Sequence, residues 1–429
     1  MMRNTTEKIH LAAKENKKLP AIDRGLFWLV NNYLVEIVLI VAVAGAVLIR
    51  WILSNRIVRD PSDYNNFLLP WCLQYRSLGI HDGLAQNFSD YYVPYNLVLA
   101  IISQFFENPA RPIGIFNSVF DFVTAIFVYK IGCWNLSNAS SKEDRGQAKK
   151  PDKSIRRRSA LIAAATLYLP FTFLNSAYWK QCDGVYSCFL IISLYYFLRE
   201  KYTASLIGFS FAFCFKLQAI FFLPFLLIGY IARQRFSIIK FLWVPVLYFL
   251  AGLPAVLCGR GFQDTYGTYF AQAQEHTDTM ALNTANFYAL GITHGEAMTI
   301  PAIVITVAVI LFMAAAVCQK RNRMGEDKWL LLASWMMLTC YMFLPKMHER
   351  YDYCGILLLC IFALLTSRLI PSAVILVICE LLVYNVNIFD GNAFPNSVIA
   401  IVYCANYFYV TYQLLADLNG KIRQIQKPE

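Results

Sequence analysis

The sequence predicts an all-α, polytopic membrane protein, a bundle of about twelve transmembrane helices. Of its 429 residues, 58% are hydrophobic and only 15% are charged, whereas soluble domains carry about 25% charged residues. Long apolar runs recur along the whole chain. Most basic residues gather in short polar segments between those runs, which is typical of cytoplasmic loops. We therefore attribute the net charge of +11 to orientation in the bilayer, and no nucleic-acid partner is predicted.

The predicted spans follow one another from residue 33 to residue 416. They lie near residues 33–53, 112–132, 159–176, 184–198, 203–215, 217–231, 238–258, 298–318, 329–344, 354–367, 369–388 and 397–416. Several are shorter than the roughly twenty residues that a straight crossing needs, so broken or re-entrant spans are expected. Segment 54–111 is predicted to lie outside, with an interfacial helix at 63–79 and a short apolar stretch at 94–106.

Charge asymmetry predicts the orientation of the chain. Residues 1–32 and the loop 134–158 are strongly basic, and so is the tail 417–429, which places all three in the cytoplasm. The first apolar run lacks the pattern of a cleavable signal peptide, so an uncleaved anchor is expected. Residues 33–416 are predicted to form a single transmembrane domain without internal repeats, in which 259–297 is a further outer loop.

Neither the cysteines nor the histidines suggest a metal site. Most of the twelve cysteines lie in or beside apolar runs, without CxxC pairs, and are predicted to be small packing residues. His348-Glu349-Arg350 lacks the second histidine of an HExxH zinc motif. We therefore predict no metal and no cofactor.

Five polar clusters fall at the predicted outer ends of spans. They are residues 59–64, 89–94, 179–183, 215–218 and 344–352. Because ionisable groups at a membrane are energetically costly, such clusters mark functional sites. Their convergence predicts an aqueous cavity at the outer face, open to an anionic lipid head group and to a polar acceptor.

Each of these clusters also has a purely structural interpretation. Asp63 could cap the interfacial helix, and Lys216 could extend its ammonium group to the membrane surface. The residues from His348 to Arg350 could form a solvated turn between spans. The surrounding aromatic side chains fit an ordinary interfacial belt.

Taken in order, the clusters resemble motifs of the GT-C superfamily of membrane glycosyltransferases. The matching elements are a DY (Asp63, Tyr64), a DYxxP (Asp90 to Pro94), a WxQxD (Trp179, Gln181, Asp183), a KxQ (Lys216, Gln218) and an HER (His348, Glu349, Arg350). The likeness is closest to bacterial proteins similar to the second mannosyltransferase of GPI-anchor assembly, and more distant to dolichol-linked glucosyltransferases. It covers about residues 33–360. Lys180 and Tyr92-Val93 depart from the pattern.

The resemblance implies inverting transfer of a hexose, with mannose favoured, from a polyprenyl-phosphate donor lipid. The acceptor would be a glycan, a glycolipid or a protein at the outer face of a bacterial cell membrane. Asp63 would be the general base, with Asp60 and Asp90 as alternates. Three cations would hold the donor phosphate, namely Lys216, His348 and Arg350. Side chains implied to bind sugar or acceptor are Tyr64, Asp90, Trp179, Gln181, Asp183, Gln218 and Glu349.

Two other functions compete with glycosyl transfer. A transporter or lipid flippase would also have many spans with charges near the membrane, but carriers usually show repeat symmetry and a midplane site. A glycan polymerase or ligase would concentrate arginine and histidine in a late outer loop. Here that loop, 259–297, holds only Arg260, His276 and His294.

Overall fold

The computed structural model describes residues 20–58, 62–140, 151–274, 279–292, 295–389, 391 and 394–420. The chain divides into two compact units, Met1–Val47 and Leu48–Glu429. In the first unit, the described residues from Ala21 onward are helical and mostly exposed. Residues 59–61, with Asp60, lie outside the described part, as do residues 1–19, His276, His294, residues 141–150 of the basic loop and residues 421–429 of the tail.

The described residues are helical almost throughout. The helices of the first half are α1 Ala21–Ser54, α2 Leu69–Ala85, α3 Val93–Phe105, α4 Ala110–Ser140, α5 Lys153–Thr166, α6 Pro170–Phe173, α7 Asp183–Leu198, α8 Tyr202–Phe215 and α9 Leu223–Arg233. Those of the second half are α10 Trp243–Leu257, α11 Phe262–Tyr266, α12 Thr268–Gln274, α13 Thr299–Gln319, α14 Glu326–Phe343, α15 Tyr353–Thr366, α16 Ile370–Phe389 and α17 Asn396–Leu418. An all-α membrane-type fold is thereby confirmed.

Short irregular helices and one strand pair complete the described structure. The π-helical turns are Tyr64–Leu68 and Leu174–Tyr178, and the 3₁₀ turns are Leu217–Phe222, Ile238–Leu242, Phe287–Leu290, Glu296–Met298 and Arg321–Arg323. Strands β1 (Ala281–Leu282) and β2 (Met347–His348) pair in parallel, with Ala281 opposite Met347 and Leu282 opposite His348.

When the helices are judged by length and apolarity, fewer of them qualify as membrane spans than the twelve predicted. Five described helices are long and apolar enough to cross a membrane: Ala21–Ser54, Ala110–Asn138, Ile238–Leu257, Glu296–Gln319 and Asn396–Leu418. A sixth span is formed if Lys153–Thr166 and Pro170–Tyr178, bent by 53°, are counted together. The other predicted spans coincide with shorter apolar helices or, for Glu326–Phe343, with a helix that begins with three charged residues. Their crossing of the membrane stays a prediction.

Two helices form the centre of the second unit. The side chains of α14 from Trp329 onward are all buried, and so are nearly all those of α15. The two helices approach closely at Gly355, where an added Cβ would lie only 2.8 Å from Leu338 Cδ2. A larger residue at 355 would therefore push these helices apart.

Basic residues meet at one end of the second unit. The contacts there are Arg158 Nη2 to the Leu365 carbonyl (3.0 Å), Arg233 to Glu326 (3.9 Å), Arg323 Nη1 to the Leu418 carbonyl (3.3 Å) and Arg368 to Asp417 (2.5 Å). Helices α7 and α14 run from one end of the bundle to the other. Their opposite ends, at Asp183 and Phe343, lie beside the polar residues described next.

A buried charged cluster as the candidate functional site

Asp63 is held by residues that are distant in sequence. It precedes the π-helical turn Tyr64–Leu68, yet its side chain makes no capping hydrogen bond there; Ser62 Oγ instead accepts from the backbone N–H of Asn65 (3.3 Å). Asp63 Oδ2 accepts from Gln181 Nε2 and from Arg350 Nη1, each at 2.9 Å. The capping interpretation of Asp63 is therefore wrong, and its carboxylate joins three segments of the chain.

Asp183 and Lys216 form the buried half of the cluster. Asp183 is the first residue of α7 and is fully buried, and its Oδ1 lies 2.5 Å from Lys216 Nζ. Lys216 has extended backbone (φ −154°, ψ 135°) at the break between α8 and the following 3₁₀ turn. This break turns its side chain inward. Lys216 is 8% exposed as a residue and its ammonium group is paired with Asp183, so the interpretation of Lys216 as a surface-reaching lysine is also wrong.

Arg350 connects the two carboxylates. Its Nη1 binds Asp63, and its Nε lies 3.5 Å from Asp183 Oδ2. The guanidinium group also stacks over the Trp179 ring, with 5.1 Å between Cζ and the ring centroid, a favourable cation–π arrangement. Because an arginine fork can bridge two acceptors at once, Arg350 fixes the separation of Asp63 and Asp183.

Glu349 and His348 complete the cluster. Glu349 is buried and accepts a short hydrogen bond from Arg350, and His348 Nδ1 lies 3.8 Å from its other oxygen. Burial raises the pKa of the Glu349 carboxyl, an effect that Arg350 partly offsets. A solvated turn from His348 to Arg350 is therefore excluded.

The charges of the cluster largely neutralise one another. With ionised carboxylates, Asp63, Asp183 and Glu349 carry −3 and the cations Lys216 and Arg350 carry +2, which leaves a formal charge of −1. The sequence predicted cations facing an empty anion site. Instead, each of these two cations already has a carboxylate partner, so the arrangement suits a ligand with both donors and acceptors.

The loop before α13 positions the segment that carries Arg350. The β1–β2 pair joins this loop to Met347–His348. Nearby, Tyr288 Oη donates to the Phe343 carbonyl (2.7 Å), and Asn286 Nδ2 donates to the Tyr341 carbonyl (3.3 Å). These hydrogen bonds fix the loop to the end of α14. The segment that carries His348, Glu349 and Arg350 is therefore held on a rigid support.

Three other predicted residues lie apart from the ion pairs. Tyr64 is buried in an apolar cluster with Leu68 and Cys72. The Asp90 side chain is exposed, and within the described residues its carboxylate has no ion pair. Gln218 is buried next to the break at Lys216. Their predicted part in ligand binding stays a prediction.

A second buried network, which the sequence analysis missed, continues from Asp183. Asn175 Nδ2 donates to Asp183 Oδ2 (3.0 Å) and lies 3.2 Å from Tyr384 Oη. Beyond Tyr384, the buried carboxyl groups of Asp352 and Glu380 adjoin each other, and Tyr403 Oη donates to Asp352 (2.9 Å). A lone Glu380 within an apolar run was the signal that could have revealed this network.

Lys180 lies next to the cluster and has a structural role. Its Nζ donates to the carbonyls of Ser54 (3.2 Å), Arg56 (2.9 Å) and Ala177, and lies 3.4 Å from that of Leu53. It thus satisfies carbonyl groups at the end of α1, which helix termini leave unpaired. Among the described residues, no group of three His, Cys, Asp or Glu side chains is placed to hold a metal ion.

Apolar helices of membrane-spanning length together with a buried acid–base cluster define a helical protein of the membrane type. Residues 89–344 match the family model described as GPI transamidase subunit PIG-U. Because this match covers more than half of the 429 residues, the chain belongs to the PIG-U family. No curated protein matches the chain.

The family corrects the glycosyltransferase interpretation. Membership in PIG-U contradicts the predicted GT-C assignment, and with it hexose transfer by a mannosyltransferase-like enzyme. The motifs located polar residues at helix ends, but such residues are equally suited to binding a glycan without transferring it. The polyprenyl-phosphate donor, the acceptor and the transporter and polymerase alternatives are therefore not retained. A bilayer as the chain's surroundings is supported.

Proposed function

We propose that this chain is a membrane-embedded subunit of a GPI transamidase and that its charged cluster binds the polar head group of the GPI lipid. The family match carries the first part of this proposal. The cluster of Asp63, Asp183, Lys216, Glu349 and Arg350 carries the second, because it is the most extensive charged group in the described structure.

The chemistry of the GPI head group suits such a cluster. A transamidase exchanges one amide for another, so its GPI substrate must present an amine, together with phosphate and sugar hydroxyl groups. The residual charge of −1 favours an ammonium group, while Arg350 and Lys216 can share their hydrogen bonds with a phosphate.

We also propose the orientation that charge asymmetry predicts. The end with Arg158, Arg233, Arg323 and Arg368 would face the cytoplasm, and the charged cluster would face the opposite compartment. The amine of the GPI head group would then be held on the side from which a membrane-bound substrate protein can reach it. The predicted single domain, residues 33–416, remains part of this proposal.

Recovery of GPI lipid with the purified complex tests this function. A tagged full-length chain is isolated in mild detergent from its own cells, and co-purifying glycolipid and protein subunits are measured by mass spectrometry. We expect GPI lipid with the wild type. Asp63→Asn and Arg350→Gln should reduce it about tenfold, the size expected when charged hydrogen bonds are lost, while protein subunits remain.

The matched control is Asp82→Asn, which neutralises a carboxylate that is 71% exposed. It should leave the recovered GPI lipid unchanged. Undiminished GPI in both cluster variants would refute the head-group site. The absence of transamidase subunits from the wild-type preparation would refute the assignment to the complex.

A further inference from the structure

A cavity of about 740 Å³ lies beside the end of α1, apart from the charged cluster. Its apolar wall includes Trp51, Ile57, Phe106, Ile115 and Phe116. None of the residues predicted for the functional site lines it. The volume falls within the range of about 300–1,000 Å³ that small-ligand pockets occupy.

The rim of this cavity carries one acid and one base. Glu107 lies in the connection between α3 and α4, and Arg111 lies in the first turn of α4. Within the described residues, neither forms an ion pair. The Arg111 guanidinium stacks over Trp51, with 3.9 Å between Cζ and the ring centroid. This contact holds a cation at the boundary between apolar wall and polar rim, where tryptophan is commonly found in membrane proteins.

A buried hydroxyl group provides a separate indication of a ligand. Ser54 lines the cavity and is 1% exposed, and its Oγ, which packs towards Gly114 of α4, has no hydrogen-bond partner among the described residues. Buried hydroxyl groups are usually hydrogen-bonded, so an unpaired one calls for a missing partner. Rotation of the Ser54 side chain towards the cavity would let a bound molecule with an acceptor group supply that partner.

We infer that this cavity binds a phospholipid whose head group combines a phosphate with a primary ammonium, as in phosphatidylethanolamine. An acyl chain lies against Ile57, Phe106 and Ile115, the phosphate binds Arg111, and the ammonium binds Glu107. An anionic lipid would leave Glu107 without a partner and repel it. A choline lipid would offer Glu107 no N–H donor. This site does not depend on the proposed GPI site.

The test is lipid binding to the purified full-length chain, followed by native mass spectrometry. Phosphatidylethanolamine, phosphatidylcholine and phosphatidylinositol are titrated separately. The wild type should bind the ethanolamine lipid about threefold to fivefold more tightly than the choline lipid, as expected for a partly exposed ion pair. Equal binding of the two, or a preference for phosphatidylinositol, would overturn the inference.

Variants separate the parts of the site. Glu107→Gln should abolish the preference for ethanolamine over choline, whereas Asp82→Asn should keep it. Arg111→Gln should weaken all phospholipids about tenfold or more. Glu107→Gln with an intact preference would contradict the assignment of the ammonium.

Filling the cavity tests the acyl-chain position without changing charge. Ile115→Trp should weaken the binding of every phospholipid. Its control, Val119→Trp, changes a residue one turn further along α4 that is 51% exposed and does not line the cavity. Equal effects of the two substitutions would place the lipid elsewhere.

Discussion

At the scale of single residues, the charged cluster depends on Asp183. This carboxylate is fully buried and contacts Lys216, Arg350 and Asn175. Asp183→Asn would leave the buried Lys216 without its carboxylate partner and would remove one of the three carboxylates around Arg350. Since breaking a buried ion pair costs about 3–5 kcal/mol, we expect a clear fall in thermal stability in detergent, measured by a thermal-shift assay.

The control for Asp183 is again the exposed Asp82, whose neutralisation should change stability by less than about 0.5 kcal/mol. Lys216→Met in the Asp183→Asn background should restore part of the lost stability, because it removes one uncompensated charge. A double variant less stable than either single variant would show that the two residues do not act as a pair.

A second prediction at this scale concerns the pH dependence of folding stability, which involves the neighbouring carboxyl groups of Asp352 and Glu380. Burial raises the pKa of the Asp352 carboxyl, so the folded state holds a proton that the unfolded state releases at about pH 4. The stability from this group is complete below that pH and is lost as pH rises through the higher folded pKa.

The Glu380→Gln variant tests whether protonation of Asp352 makes stability depend on pH. The amide can donate permanently to Asp352, so the carboxylate no longer needs the proton. Between about pH 5 and about pH 8, we expect the melting temperature of the wild type to fall more than that of the variant. Parallel curves for both proteins would show that this pair does not control the pH response.

The sequence located many of the cluster residues without defining their contacts. Asp63, Gln181, Asp183, Lys216 and Arg350 were all identified as polar groups at predicted helix ends, and the structure brings them together. The pairing of these cations with carboxylates could not be predicted, because it depends on the relative rotation of helices distant in sequence. Glu380 was missed because it lies inside an apolar run rather than at its end.

At the scale of helices, Lys180 stabilises the end of α1. Lys180→Met would leave the carbonyls of Ser54, Arg56 and Ala177 without their cation. Hydrogen bonds to a charged group contribute about 1.5–3 kcal/mol, so the melting temperature should drop clearly in a thermal-shift assay.

Lys346 supplies the matched control for Lys180, since its Nζ donates to a single described carbonyl, that of Ala273 (2.7 Å). Lys346→Met should therefore be the milder substitution. If it were as harmful as Lys180→Met, the number of satisfied carbonyl groups would not explain the effect.

Apolar runs predicted the helices well but not their interruptions. Each of the twelve predicted spans coincides with a helix or a bent helix pair. The extended residue at 216 and the 53° bend after Thr166 were foreseen only as short or broken spans. Their positions depend on contacts such as Lys216 with Asp183, which hydropathy does not encode.

At the scale of the whole molecule, orientation is a separate prediction. Reporter fusions after Arg235 and after Gly291 should report opposite sides of the membrane, with residue 235 in the cytoplasm. Basic residues concentrate near the first position, whereas the described part of the loop 259–297 around the second holds a single lysine or arginine, Arg260. Reporters on the same side would contradict the orientation and place the charged cluster differently.

The motifs of this sequence did not predict the family to which the chain belongs. Five short motifs in order favoured a transferase, whereas the match over residues 89–344 identifies the PIG-U family. Polar residues at helix ends are compatible with binding of a polar ligand. They do not distinguish a subunit that holds a glycolipid from an enzyme that modifies one.

Photochemical capture of GPI lipid at the cluster tests the central claim most directly. A photoreactive phenylalanine derivative replaces Tyr351, whose ring centroid lies 5.7 Å from Lys216 Nζ; the control replaces Tyr412, which is 61% exposed on α17. In complexes that retain transamidase activity, irradiation should attach GPI lipid to the chain at position 351 and not at 412. Capture at neither position, or equally at both, would contradict a head-group site at the charged cluster.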